Sequence, residues 1–155
     1  MGRRIQLGPR YSARLLADPA FARVLWNPAS YLRLGPALHR DGIRNYEIGF
    51  ASALLNRLCA VRSIPIVGCN FSCHRRALES INGFNEDFEV SGVGEDSDID
   101  WRLRAAGYRL VNIKFLAPVY HLHHTETVIS ADNYERMKAL QAEGRYVCRN
   151  GLVKQ

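Results

Sequence analysis

Two segments of helical periodicity, each stopped by a glycine, alternate with short apolar runs between Ile64 and His124, and this alternation limits the chain to an α/β arrangement. "IPIVGCNFSC", residues 64–73, reads as a buried strand in which Gly68 leaves room for another backbone or a ligand. "RRALESINGF" follows as a short helix closed by Asn82-Gly83, a pair suited to the left-handed conformation that ends helices. Glu95 to Ala106 forms a second helix closed by Gly107, and "YRLVNIKF" and "APVYHLHH" read as the next strands. A last helix starts near Asp132, whose spacing to Glu135 fits a capping box, and runs to about Cys148.

Upstream, Ile48, Ala51, Leu54, Leu55, Leu58 and Cys59 recur at helical spacing, which predicts an amphipathic helix from Tyr46 that ends before Pro65. The first forty residues carry Pro9, Pro19, Pro28 and Pro36 and suit loops with short helical pieces around "ARLLAD" and "FARVLW". At 155 residues and 47% hydrophobic, the chain has the length of one domain or part of one. No window approaches the roughly 18 apolar residues of a membrane span, and "MGRRIQLGPR" has no apolar stretch behind it as a signal peptide would. The expectation is a soluble, cytoplasmic protein. In a reducing compartment Cys59, Cys69, Cys73 and Cys148 remain thiols, and for Cys69-x-x-x-Cys73 the reading is core packing rather than zinc, because no second cysteine pair follows.

The net charge of +6 conceals a division. Residues 1–66 hold ten arginines and three acids, residues 67–100 two arginines and eight acids, and residues 101–155 nine bases and four acids. The basic remainder is spread too thinly to mark a nucleic-acid surface, and the acidic island would repel phosphates, so nucleic-acid binding ranks last among the functions considered.

Within the island, Glu95, Asp96, Asp98 and Asp100 crowd the start of a helix. At about 100° per residue, Ile99, Leu103 and Ala106 form one apolar stripe, and Glu95 and Asp96 fall on it one turn earlier. Two carboxylates are thus aimed along the buried direction at a helix mouth, where the macrodipole favours negative charge. Acids in the first turn with Arg102 and Arg104 in the last are also ordinary dipole-complementing choices. The flanks favour a site: Gly92 and Gly94 supply a flexible backbone before the acids, and His121, His123 and His124 end the last strand. Carboxylates with imidazoles point to acid–base chemistry, a metal, or both. Strand alternation puts His121 and His123 on one face and His124 on the other.

The blocks "GCNFSCHRRALESINGFNEDF", "GEDSDIDWRLRAAGY" and "APVYHLHH", in this order, resemble the C-terminal catalytic half of glycosyltransferase family two and of the related β-1,4-galactosyltransferases. Those proteins share a G-x-N-x-S strand, an N-G-F/Y turn, a W-G-x-E-D-x-D helix start and an H-L-x-H strand end. The tail "EGRYVCRNGLVK" extends the likeness over most of the second half of the chain. In place of the family's W-G this chain has Ser91-Gly92-Val93-Gly94, so the aromatic wall over an acceptor sugar is missing.

The resemblance implies the C-terminal half of a GT-A fold, with a mixed sheet flanked by helices and incomplete as it stands. It implies inverting transfer of a sugar from a nucleotide-diphosphate sugar to a glycan acceptor of the lipopolysaccharide or cell-surface type. Asp96 matches the family's base, and Glu95 would fix the acceptor hydroxyl. Asn70, Ser72, Gly94 and Asp98 are the expected substrate contacts, with Asp98 alternatively serving the helix cap. Mn²⁺ or Mg²⁺ would neutralise the leaving diphosphate, with His121 and then His123 as ligand. The expected division is a linker and helical segment over 1–63, an acceptor-binding and catalytic core over 64–128, and a C-terminal helix and tail over 129–155. The family's donor-binding half, with its D-x-D metal motif, would precede "LGPRYSARLLAD"; Asp96-Ser97-Asp98 and Asp98-Ile99-Asp100 match that motif only in letters. A separate donor-half polypeptide is therefore a possible partner, as is the inner membrane face. The competing expectation is a catalytically silent carbohydrate- or partner-binding remnant of the same fold.

Overall fold

The computed structural model describes residues 2–45, 49, 52–59, 63–88, 95–125 and 131–154. It divides into two compact units, Gly2–Arg62 with Asn112–Thr125 and Ser63–Val111 with Glu126–Gln155.

In the first unit a strand β1 (Arg4–Gln6) pairs in parallel with β2 (Val119–His121), Ile5 opposite Tyr120. Three helices follow β1, namely α1 (Pro9–Ala17), α2 (Phe21–Trp26) and α3 (Pro28–Arg40). The helical pieces expected around "ARLLAD" and "FARVLW" fall in α1 and α2, but the helices extend further than expected, because Pro9 and Pro28 occupy first-turn positions, where no N–H is needed. Asn27 caps α3 by accepting from the N–H groups of Ala29 (3.0 Å) and Ser30 (3.2 Å). The α1 start is capped from afar, the Asp41 carboxylate accepting from Arg10 N (3.1 Å) and Tyr11 N (3.0 Å). Ile5, Leu7, Tyr11, Phe21, Leu25, Leu38, Ile43 and Phe115 form the core.

A fourth helix, α4 (Ala53–Cys59), begins after Ser52, whose hydroxyl accepts from Leu55 N (3.3 Å), and is shorter than the helix expected from Tyr46; residues 46–48, 50 and 51 lie outside the described residues. It buries no side chain. Its attachment is polar: the Asn56 amide donates to Asn112 O (3.2 Å) and accepts from Phe115 N (3.1 Å).

The second unit has its own core of Ile66, Ala77, Ile81, Ile99 and Leu103. Helix α5 (Arg75–Ser80) ends where expected, with Asn82 at φ 61° and Gly83 at φ 75°. Helix α6 (Glu95–Ala105) is followed by Gly107 at φ 85°. Helix α7 (Ala131–Ala142) stops short of Cys148, with Gly144 at φ 65° behind it, and Asp132 lies inside its first turn rather than at the cap. The Asn82 side chain holds the C-terminal tail, donating to Cys148 O and Val153 O (2.8 Å each) and accepting from Val153 N (2.9 Å).

Residues 64–73 are not a strand. Pro65 withdraws a ladder donor, and a turn closed by Asn70 N donating to Val67 O (2.8 Å) breaks the run. "YRLVNIKF" likewise forms no strand, since it ends in a turn in which Leu116 N donates to Ile113 O (2.9 Å). The described sheet is therefore two parallel strands rather than a mixed sheet. Without strand alternation to bury them, Cys69 and Cys73 are exposed, against the expected core packing; Cys59 is exposed as well, and Cys148 is buried. Among the described residues no helix is long and apolar enough to cross a membrane.

Candidate functional site

The first turn of α6 carries Glu95, Asp96 and Asp98. Apolar Ile99 and Leu103 are at most 1% exposed and anchor the helix, leaving Glu95 and Asp96 half-buried at its tip. One Asp96 carboxylate oxygen accepts from the Gly68 N–H at 3.2 Å, and the other is 3.5 Å from the Ser97 hydroxyl. The neighbour of Gly68 is this carboxylate, but a Cβ built there would lie 3.6 Å from Asp96 Cβ, an ordinary contact, so the approach does not require glycine. Glu95 Oε2 is buried with no hydrogen-bond partner among the described residues. A buried acceptor without a donor is costly, on the order of 1–3 kcal/mol, and is satisfied when a donor such as a hydroxyl arrives.

Asn70 belongs to the same turn as Gly68 and is half-buried, whereas Ser72 is exposed. Gly94 lies outside the described residues. Asp98 sits differently from Glu95 and Asp96. It is fully buried, and Oδ2 is committed to Arg102 Nε at 2.7 Å, while Oδ1 is buried with no partner among the described residues. Burial pushes the Asp98 carboxyl up, while the Arg102 guanidinium pulls it down. Arg102, equally buried, also donates through Nη1 to Ile81 O and Gly83 O, 2.8 Å each. It therefore bolts α6 to the turn after α5. The sequence reading treated Arg102 as a dipole complement; the four-residue spacing from Asp98 was the available signal. Asp100 and Arg104 repeat that spacing as a partly exposed pair at 3.0 Å.

The imidazoles belong to the first unit. The strand ends at His121, so alternation does not extend to His123: the His121 ring meets His124, with centroids 5.0 Å apart, and not His123. His123 is exposed, and its backbone N–H donates to Ser12 Oγ at 2.7 Å. His121 Nδ1 is buried without a partner among the described residues. Burial first, then the charges of Arg4 and His124, push the His121 imidazole below its ordinary value, toward the neutral form that binds metals. Two imidazoles are nevertheless a poor set for Mn²⁺ or Mg²⁺, which favour oxygen ligands. Among the described residues no three His, Cys, Asp or Glu side chains gather closely enough to hold a metal ion. The residues present do not complete the expected metal site.

The segment from α4 through α6 and β2 can now be compared with known proteins. Residues 53–125 match a family model described as the N-terminal domain of galactosyltransferase. The match covers just under half of the chain and supports a galactosyltransferase-type glycosyltransferase domain. It spans Asn70, Ser72, Glu95, Asp96, His121 and His123, and it does not single out glycosyltransferase family two or a C-terminal half. No curated protein and no solved structure matches the chain.

Proposed function

We propose that the chain is the acceptor and base portion of an inverting glycosyltransferase of GT-A type that uses a nucleotide-diphosphate sugar as donor. The observation that carries this reading is the tip of α6, within the galactosyltransferase-type segment. There one carboxylate is oriented by a backbone N–H, and its neighbour has a buried acceptor atom with no partner among the described residues. Asp96 takes the proton of the acceptor hydroxyl as that oxygen attacks the anomeric carbon. The bond from that carbon to the diphosphate breaks, the nucleotide diphosphate leaves with the electron pair, and the proton stays on Asp96. Glu95 accepts a hydrogen bond from a hydroxyl of the acceptor and fixes its approach. The Gly68 N–H steadies the Asp96 carboxylate, and Asn70, in the same turn as Gly68, serves as a substrate contact in this reading.

A divalent metal would supply charge neutralisation at the leaving diphosphate. Its oxygen ligands would have to come from beyond the residues described here, and no step above depends on His121 or His123.

The test is sugar transfer from a panel of nucleotide-diphosphate sugars to glycan acceptors, by the chain alone and with a polypeptide supplying a donor-binding D-x-D segment. Asp96→Asn is expected to lower kcat by roughly 10²–10⁴-fold, the usual worth of a general base. Glu95→Gln is expected to act mainly on the acceptor KM. Undiminished transfer by Asp96→Asn rejects the base assignment. Acceptor binding without transfer in either format instead indicates a carbohydrate-binding remnant.

A further inference from the structure

A basin in the second unit takes no part in this chemistry. It has a volume of about 400 Å³, and its polar lining includes Asn85, Asp87, Arg145, Arg149, Asn150 and Lys154. Cys148, 2% exposed, also lines it. The wall is built rather than incidental: Asn82 ties down the tail on either side, and Gly151 is so close to the Asn82 carbonyl that a Cβ would come within 1.9 Å of its oxygen. Glu86 N donates to Asn150 O at 2.8 Å and holds the tail again at the basin itself.

The lining is rich in donors. Asp87, the one carboxylate among these lining residues, has Oδ1 occupied by the Asn150 amide at 3.0 Å. Arg145 is paired with Glu143 and Lys154 with Glu86, but these side chains are 32–62% exposed. Such exposed pairs contribute little to stability, so a ligand anion can replace the protein carboxylates at little loss. Neither the Arg149 guanidinium nor the Nδ2 amide of Asn85 has a partner among the described residues. Asn85 itself is 6% exposed, its rotamer fixed by Oδ1 accepting from Asp87 N at 3.2 Å.

We infer that this basin binds a monosaccharide bearing one anionic group, a carboxylate or a phosphate. An arginine fork matches either group in a bidentate fashion. The asparagine amides, donor and acceptor at once, suit ring hydroxyls. The volume falls in the range of small-molecule sites. The sugar portion of the ligand rests on the glycosyltransferase reading; the anionic portion rests on the lining alone.

The test is titration of the full chain with glucuronate, glucose 1-phosphate, glucose and inorganic phosphate, followed by amide chemical shifts of residues 145–154. One charged sugar is expected to bind at least about tenfold more tightly than glucose and than inorganic phosphate, and which of the two does so identifies the anion. Arg149→Gln, at an exposed position, should weaken that binding about tenfold while leaving the melting temperature unchanged. Asp96→Asn should bind as the parent does, because the basin shares no residue with the helix tip. Binding that survives while no transfer activity is found defeats the transferase reading and leaves the basin standing. Equal binding of glucose, equal binding of inorganic phosphate (an adventitious ion only), or indifference to Arg149→Gln overturns the proposal.

Discussion

Asp98 and Arg102 show why a charged side chain cannot be placed from composition alone. Both are 0% exposed, and the pair is linked to two main-chain carbonyls through Arg102. Removing one partner strands the other charge in the core, so Asp98→Ala is expected to lose about 3–5 kcal/mol in urea denaturation. Replacing both together, Asp98→Leu with Arg102→Met, should recover much of that loss because no orphaned charge remains. A double variant as unstable as the single one would mean that the carbonyl bonds, not the ion pair, dominate. Tyr120 offers a cleaner reading by pH. Burial pushes its phenol up from 10.0 to about 12, and its hydroxyl donates to Leu25 O at 2.9 Å. The unfolded chain releases this proton first, so the stabilisation is whole below pH 10, falls as pH rises, and is gone above about 12. Tyr120→Phe should cost about 0.5–1.5 kcal/mol at neutral pH, the worth of one hydrogen bond. The parent's advantage should shrink and then reverse as pH rises from 10 to about 12; a gap that stays constant in urea titrations across that window counts against a desolvated phenol.

At the scale of elements, the Asn82-Gly83 turn does more than end α5. Three hydrogen bonds from one side chain hold the tail, at about 1 kcal/mol net each. Asn82→Gly keeps the left-handed backbone and loses the bonds, whereas Asn82→Ala loses the bonds and adds strain at φ 61°. Hydrogen exchange at residues 148–153 should quicken in both, with Asn82→Ala the less stable by about 1 kcal/mol. Helix stops such as these were legible because their signal is local: Asn82-Gly83 and Gly107 lie where the chain turns. The sheet was legible only in part: "APVYHLHH" reads as a strand and contains β2, but its partner β1, paired through Ile5 and Tyr120 across most of the chain, is too short to leave a periodicity. The run 64–73 failed for the opposite reason: its composition is strand-like, but Pro65 and the turn at Val67 to Asn70 remove the ladder. Of the candidate site, Glu95 and Asp96 at the helix tip were readable from the wheel. The fate of Asp98 required knowing what covers its side of α6.

For the molecule as a whole, charge and exposed apolar surface act against each other. The net charge of +6 keeps copies of the chain apart at low ionic strength. Helix α4 opposes this, since Leu54 and Leu58, one turn apart, are 65% and 63% exposed and the helix buries no side chain. Burying such leucines between copies gains on the order of 1.5–3 kcal/mol each, and the repulsion that resists it weakens as salt shortens the Debye length to about 3 Å at 1 M. The chain is therefore expected to associate as salt is raised, the reverse of what an assembly held by ion pairs would do. Light scattering at 0.05 and 0.5 M sodium chloride should show the apparent mass rising with salt. The double variant Leu54→Lys with Leu58→Lys should stay monomeric in both, with unchanged circular dichroism because neither side chain is buried. A parent chain that scatters as a monomer at 0.5 M would mean that these leucines are not free to meet their counterparts.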